Sequence, residues 1–498
     1  VFTIRNISQV FDKCKIFTEK EQVKNLLDEI RYKENVYNKK VLENSCGDGN
    51  ILVEIVKMYI EISLNEKYSL KEIRDGLERN IIAYEIDESH YKHCIENLNK
   101  ILERYNLKPV NWKIYNKDFL FSNEKEKFDY VIGNPPFIKY SEINLDLRKI
   151  LCENFKSCQK GKFDYYFPFI EKGLKLLNNK GKLAYILPNS LFKNVSGKII
   201  RDEILKYNLK IVDYTGLKIF KKVKLPISIV CCENHEEVTS YIKYIDVKNK
   251  IEKNIEKKEL KKKWIFETYI SNKGPKLKEF IDAHMSIATL SNNVFLIKDN
   301  YEIKDDHFVI NNFSVEKKII RKAVSPRSAE RKKEEFIIFP YKKNKKNKFE
   351  KYEEKEFQQH FPMAEKYLQD KIQILNKRKS DKNSKWFEYG RNQGIYNSYK
   401  PKILLSTIIT QKVKIYFLSE EEIPYSGICI TSNTKENLEI VYHILKSNKF
   451  LEYIYSVGIS TNGKSVRISP KDILNYNIEE SDYEQFRERN RKRIKSNL

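Results

Sequence analysis

The sequence predicts an α/β protein: a doubly wound, largely parallel sheet in the first half, followed by a second domain of the α+β class. Three observations carry this. A length of 498 residues suits two or three domains with a large core. Up to about residue 240, apolar strand-like runs alternate with amphipathic helical stretches, the rhythm of βαβ units. Beyond that point the rhythm is lost, and segments rich in Lys, Asn and Glu separate short apolar runs. In order, Val41-Leu42 leads through a tight loop into a helix from Ile51 to Ile62. Ile81-Ile82-Ala83-Tyr84 ends at an acid, and Phe128 to Gly133 runs straight into Asn134-Pro135-Pro136-Phe137. Gly181 to Pro188 and Leu225 to Cys232 supply two further strands. The expected domains are 1–245 and 246–498, with no internal repeat.

Composition excludes several classes. Hydrophobic residues at 41% and aromatics at 12% support a packed core and exclude a disordered chain. No apolar run approaches membrane-spanning length, and the N-terminal residues lack the blocks of a signal peptide. The eight cysteines are scattered without a CxxC pair, which suits a reducing, cytoplasmic location. His90, His93 and Cys94 have no second ligand cluster, so they read as a solvated helix face, and no metal is expected. Net charge is uneven: +7 over residues 1–240 against +18 over 241–498, with +12 in 311–400 alone. Such asymmetry fits a polyanionic partner, although a biased genome also enriches Lys.

The chemistry concentrates at strand ends. Glu43-Asn44-Ser45-Cys46-Gly47-Asp48-Gly49-Asn50 is a small-residue loop before a helix, where backbone N–H groups can approach a ligand; short Gly turns after strands are also common. Glu85-Ile86-Asp87 follows the second strand, where an acid commonly takes ribose hydroxyls and Ile86 can pack on a base. Asp118-Phe119 follows a third strand, where a carboxylate can accept from an adenine amine. Each acid alone can equally cap the next helix; three in order favour a nucleoside. In Asn134-Pro135-Pro136-Phe137 the prolines cannot continue a ladder and fix the backbone. The Asn134 side-chain oxygen and the Pro135 carbonyl can then accept from one NH₂ group, biasing its nitrogen away from planarity. Phe137 offers a face for stacking a base.

Residues 14–232 resemble the gamma class of amino-methyltransferases, typified by the Taq-type adenine enzymes. Leu42 to Gly49 is similar to that family's acid-Pro-Ala-Cys-Gly-x-Gly loop, with Asn44 in place of proline. Phe17-Thr18 is similar to its first motif, with Glu19 where proline usually follows. Gly161-Lys162-Phe163-Asp164-Tyr165-Tyr166 resembles the element after its catalytic loop. The resemblance implies a Rossmann-like methyltransferase sheet with a second α+β DNA target-recognition domain. It implies S-adenosylmethionine as cofactor, held by Phe17, Thr18, Glu43, Ser45, Cys46, Gly47, Gly49, Glu85, Ile86, Asp118 and Phe119. Within that set Thr18 would meet the methionine carboxylate, Glu85 the ribose and Asp118 the adenine amine. Asn134, Pro135, Pro136 and Phe137 become the catalytic tetrapeptide, and Phe220 the second aromatic that clamps a flipped base.

The implied function is methylation of the N6 amine of a flipped-out adenine in duplex DNA, by a bacterial, nucleoid-associated enzyme acting as a monomer. Its cognate restriction endonuclease, if any, is expected to be a separate chain, because the first cofactor motif lies within about twenty residues of the first residue. Methylation of RNA, of glutamine or of cytosine's amine, and a silent DNA-binding specificity subunit, are the alternatives. In the second half, Ile338-Phe339-Pro340-Tyr341 and Trp386 to Arg391 look like recognition-domain elements, with Trp386 read as a core residue. Lys342, Lys343, Lys345 and Lys346 are expected at phosphates and Arg391, Asn392 and Gln393 at base edges.

Overall fold

The computed structural model describes residues 18–217, 225–266, 274–345, 348–397, 399–432, 434–461, 464–486 and 488. Phe17, Phe220 and Lys346 lie outside the described residues. The chain divides into two compact units, residues 1–267 with 459–464, and 268–458 with 465–498.

The first unit is built on a nine-stranded sheet in the order β3-β2-β1-β4-β5-β7-β6-β8-β9. Its strands are β1 (Val41–Glu43), β2 (Ile81–Glu85), β3 (Lys113–Asn116), β4 (Phe128–Gly133), β5 (Leu177–Pro188), β6 (Asn208–Asp213), β7 (Ile227–Glu233), β8 (Tyr241–Asp246) and β9 (Ile251–Glu256). Strands β3, β2, β1, β4 and β5 run parallel, and β7 enters antiparallel between β5 and β6. Alternate side chains go to opposite faces. Leu42, Ile82, Tyr84 and Val131 join one apolar cluster, while Val41, Ala83, Tyr130 and Ile132 join the other. Both faces are therefore buried, which is why these strands read as apolar runs.

Helix α1 (Lys20–Glu29), α2 (Asn50–Asn65), α3 (Leu70–Asn80) and α4 (Glu88–Arg104) contribute to one cluster, and α5 (Leu145–Asn154) and α6 (Tyr166–Lys175) to the other. Helix α3 starts at a capping box of Ser69 and Glu72. The first unit runs past the expected boundary at 245 because β8 pairs parallel with β6 and β9 pairs antiparallel with β8, extending the sheet.

The second unit is α+β. Asp282–Met285, Ile428–Thr431, Lys402–Leu405 and Ile415–Leu418 form an antiparallel sheet. Helices Lys435–Lys446 and Asn448–Val457 share an apolar cluster with it. A second sheet joins Leu296–Ile297, Glu335–Ile338, Ile320–Val324 and Ile423–Pro424. Here the two recognition-like segments meet: the Tyr389 hydroxyl donates to the Ile338 carbonyl at 2.7 Å, and the Tyr389 N–H donates to the Tyr341 hydroxyl at 3.0 Å. Trp386 is half-buried rather than wholly in the core, with its indole N–H donating to Glu354 at 2.7 Å. Among the described residues no helix is long and apolar enough to cross a membrane.

Candidate active site

Parallel strands collect functional groups at their carboxyl ends, and here β1, β2, β3 and β4 end side by side. The loop after β1 is pinned to β2: Cys46 N–H donates to the Tyr84 carbonyl at 3.0 Å, and Gly47 N–H donates to Glu85 Oε2 at 2.8 Å. Gly49 turns the chain into α2 with φ of 84°, and a Cβ there would stand 2.7 Å from Cys94 Sγ. This position therefore needs glycine both for its left-handed backbone and for room.

The structure separates the acids that cap from those that do not. Asp87 caps α4, accepting from the N–H groups of Ser89 and His90. Glu85 caps no helix and lines a cleft that Asp87 lines too, its Oε1 taking the Asp87 N–H at 2.8 Å. Asp118 uses Oδ1 to accept from Leu120 N–H at 2.8 Å, while its buried Oδ2 has no hydrogen-bond partner among the described residues. A buried acceptor without a donor is costly, so Asp118 Oδ2 is a place for a ligand's N–H or O–H. Glu43 is 1% exposed and its Oε2 is likewise buried without a partner.

Burial pushes the Asp118 carboxyl up to about 6, against the Leu120 N–H and Lys172, which pull it down. Burial also raises Glu85, opposed by the N–H groups of Asp87 and Gly47, and raises Glu43 well above the usual carboxylate range. Three acids in a partly dry cleft favour a ligand with donors and positive charge.

The same cleft takes in the tetrapeptide. Thr18, Ser45, Cys46, Gly47, Ile86 and Phe119 line it together with Glu43, Glu85 and Asp118, and so do Asn134 and Pro136. Asn134 Nδ2 donates to Thr18 Oγ1 at 3.2 Å, leaving its amide oxygen as the acceptor, and the Ser45 hydroxyl donates to the Asn134 carbonyl at 3.4 Å. Pro135 is buried. Phe137 is half-buried, edge-on to Tyr166 with ring centres 6.2 Å apart. Tyr165 N–H donates to the Ile138 carbonyl at 2.9 Å, tying the Gly161–Tyr166 segment to the tetrapeptide. Pro135, Phe137 and Gly49 are not among the cleft-lining residues.

One of the two departures from the resembled pattern has a local explanation. Asn44 is buried, and its amide donates to the Tyr185 hydroxyl, tying the end of β1 to β5. Glu19 precedes α1 in an extended conformation, with φ of −75° and ψ of 156°.

Sequence reasoning missed three parts. Asn50 lines the cleft and donates to the Thr18 carbonyl at 3.3 Å. His90, read as part of a solvated face, lines the cleft and bonds the Asp48 carboxylate. Lys172 reaches under the Asp118 loop, donating to the Ser122 carbonyl at 2.7 Å and lying 4.5 Å from the Phe119 ring centre. Burial brings its pKa down to about 8. Cys46 is inert by contrast: a hydrogen bond with Cys94 and burial hold its thiol well above the ordinary value.

In the second unit, Lys342 pairs with Glu356 at 2.8 Å and Lys343 with Glu421 at 2.6 Å, while Lys345 is exposed. Arg391 pairs with Asp381 at 2.5 Å, Asn392 N–H donates to the same carboxylate, and Gln393 donates to the Ser286 carbonyl at 3.5 Å.

Residues 49–220 match the family described as Eco57I restriction-modification methylase. The chain is 24% identical over 530 residues to the type II restriction enzyme and methyltransferase RM.Eco57I of Escherichia coli, covering 85% of this chain and 52% of that protein. It is 33% identical over 177 residues to the type II methyltransferase M.BstVI of Geobacillus stearothermophilus, covering 34% of this chain and 31% of the relative. The chain thus spans about half the length of the first of these relatives and less of the second. Its fold is similar to the type IIL restriction-modification enzyme MmeI in complex with DNA, with a TM-score of 0.56 at 15% identity, over 95% of this chain and 65% of that one. A nuclease-deletion mutant of the type ISP enzyme LlaGI, bound to a DNA substrate mimic, gives a TM-score of 0.56 at 12% identity, over 95% of this chain and 46% of that one.

Proposed function

We propose that this chain, similar over residues 49–220 to restriction-modification methylases, is a site-specific DNA methyltransferase. It would move a methyl group from S-adenosylmethionine to the N6 amine of an adenine swung out of duplex DNA. One observation carries the reading: the acids suited to a nucleoside and Asn134 of the tetrapeptide line a single cleft. Duplex DNA is the partner that this reading requires, met by one copy of the chain.

The residues present fit the cofactor. Asp118 Oδ2 is an acceptor awaiting an amine, and Glu85, its two oxygens each accepting one N–H, keeps lone pairs for ribose hydroxyls. Gly47 has nothing within 4 Å of a Cβ position, so ligand atoms can approach the loop backbone. Thr18 would take the methionine end. When bound, the cofactor supplies a sulfonium methyl group open to displacement by a nitrogen lone pair.

The chain's own groups do the positioning. The Asn134 amide oxygen and the Pro135 carbonyl accept from the adenine amine and turn its lone pair out of the ring plane. Phe137 stacks on the base, and Phe220 is proposed as the second aromatic. Flipping costs a few kcal/mol, and stacking returns about 1–3 kcal/mol per contact. Attack makes the amine cationic, so its proton leaves readily and no strong general base is required. Positioning and charge complementarity then dominate.

The test is labelled methyl transfer to duplex DNA, RNA and protein side by side, followed by nucleoside analysis. The expected product is N6-methyladenine in DNA. Label confined to RNA or protein overturns the reading, and label in cytosine overturns the choice of adenine.

A further inference from the structure

Beside the tetrapeptide lies a second hollow, lined by Lys139, Tyr140, Ser141, Arg148, Lys162 and Asp164. We propose that it binds a phosphodiester of the DNA strand that presents its base to Asn134. The proposal rests on the methyltransferase reading and adds to it a backbone site within the first unit.

Position is the first argument. Lys139 is three residues beyond Pro136, which lines the cofactor cleft, and Asp164 precedes Tyr165, which lines it too. Three residues span at most about 11 Å, and the Tyr165–Ile138 hydrogen bond holds the two loops together at 2.9 Å. A flipped nucleotide keeps its own phosphates within such a distance of its base.

Charge is the second. Three cations face one acid on this wall. The Glu142 carboxylate, accepting from the Lys139 backbone N–H at 2.9 Å, is a second acid nearby, and the cations still outnumber the acids. Among the described residues, none of Lys139, Arg148 and Lys162 lies within salt-bridge distance of an acid. Lys342 and Lys343, two of the four lysines singled out from sequence, both do.

The third argument is the state of Arg148. Its guanidinium lies 4.1 Å from the Tyr140 ring centre, and Tyr140 packs edge-on against buried Phe163 at 5.3 Å. Helix α5, capped by Asn144 accepting from Leu147 N–H at 2.8 Å, fixes its base. The arginine is thus held against a platform, yet its Nε is buried with no hydrogen-bond partner among the described residues. A planar guanidinium with donors left over matches the paired oxygens of a phosphate. Lys139 and Lys162, both exposed, add attraction without requiring one geometry.

The test uses duplexes carrying the mapped target adenine, with single flanking phosphates replaced by neutral methylphosphonates. The wild-type protein is expected to lose about tenfold in DNA affinity at one linkage beside the target. Arg148→Gln is expected to lose a similar factor on native DNA, to become indifferent to that linkage, and to bind S-adenosylmethionine unchanged. Lys162→Gln, on an exposed loop, is expected to flatten the log–log salt dependence by up to about 0.9. If both variants keep the wild-type sensitivity at every linkage, the site is overturned. If Arg148→Gln also loses cofactor affinity, Lys162→Gln decides by its own salt slope and linkage profile. A wild-type protein that methylates no DNA fails the methyltransferase reading itself, an outcome distinct from normal methylation with unchanged variants.

Discussion

Asp118 and Glu43 sit buried at strand ends with acceptor atoms lacking a donor among the described residues, whereas half-buried Lys342 and exposed Lys343 have their charges already paired. The first arrangement is expensive in the free protein and becomes reasonable when a ligand completes it. The second costs little and commits to nothing, because surface pairs are worth about 0–1 kcal/mol and exchange partners readily. Unsatisfied burial is therefore the better guide to a specific ligand than a run of like charge. The hollow around Arg148 shares the first character.

The largest expected effect comes from breaking the cleft at Asn134. Asn134→Ala should lower the methylation rate by about 10²–10³-fold or more, with S-adenosylmethionine affinity within a few-fold of wild type. Single-turnover transfer and equilibrium cofactor binding on the same sample measure both halves. A variant that loses cofactor binding equally would make Asn134 a structural prop of the Thr18 contact.

Asp118→Asn should weaken the cofactor by about 10–100-fold, the worth of a hydrogen bond to a charged group. It also sharpens the comparison through pH. The Asp118 carboxyl stands near 6 in the free protein, and a donor on Oδ2 favours its ionised form. Binding then expels a proton below about pH 6, so affinity should be level above that pH and fall as pH drops through it. Calorimetric titration between pH 5 and pH 8 reads this at about those values. A wild-type profile as flat as that of Asp118→Asn would remove Asp118 from the cofactor site.

Gly49→Ala should cost about 1–3 kcal/mol of stability, from the left-handed backbone and the approach to Cys94. Thermal melts with and without cofactor give the cost. The smallest effect is expected at the paired cations: Lys343→Gln should lower the magnitude of the log–log salt slope for DNA by less than about 0.9, since its charge is shared with Glu421. A full unit or more per lysine would make these lysines a fixed phosphate grip.

The central strands are legible in the sequence because burial on both faces writes itself as apolar runs, as in Tyr130 to Gly133. The far edge is not. In β9 all six residues are exposed or half-exposed, and Ile251-Glu252-Lys253-Asn254 reads like a polar linker, so a boundary placed from sequence falls before the sheet ends. The tetrapeptide and the acids after β2 are legible as motifs, but not that Asp87 caps α4 while Glu85, beside it in the cleft, takes the N–H of the loop after β1. That depends on Gly47 reaching Glu85 across 38 residues. His90 reads as isolated because its partner Asp48 is 42 residues away. Arg148 gives no local signal, and Lys162 lies in a segment legible only as the element after the tetrapeptide; the fold alone brings both to one hollow with Lys139. In the second unit, Tyr341 and Tyr389 are recognisable as parts of two motifs, and their packing against each other makes both core elements.

The most direct measurement is base-resolved methylation mapping of DNA from a host expressing the wild-type chain, beside one expressing Asn134→Ala. The account predicts N6-methyladenine at one defined sequence with the wild type and its absence with the variant. No new DNA methylation from an expressed, cofactor-binding wild-type chain, or an unchanged methylation pattern with Asn134→Ala, would contradict it.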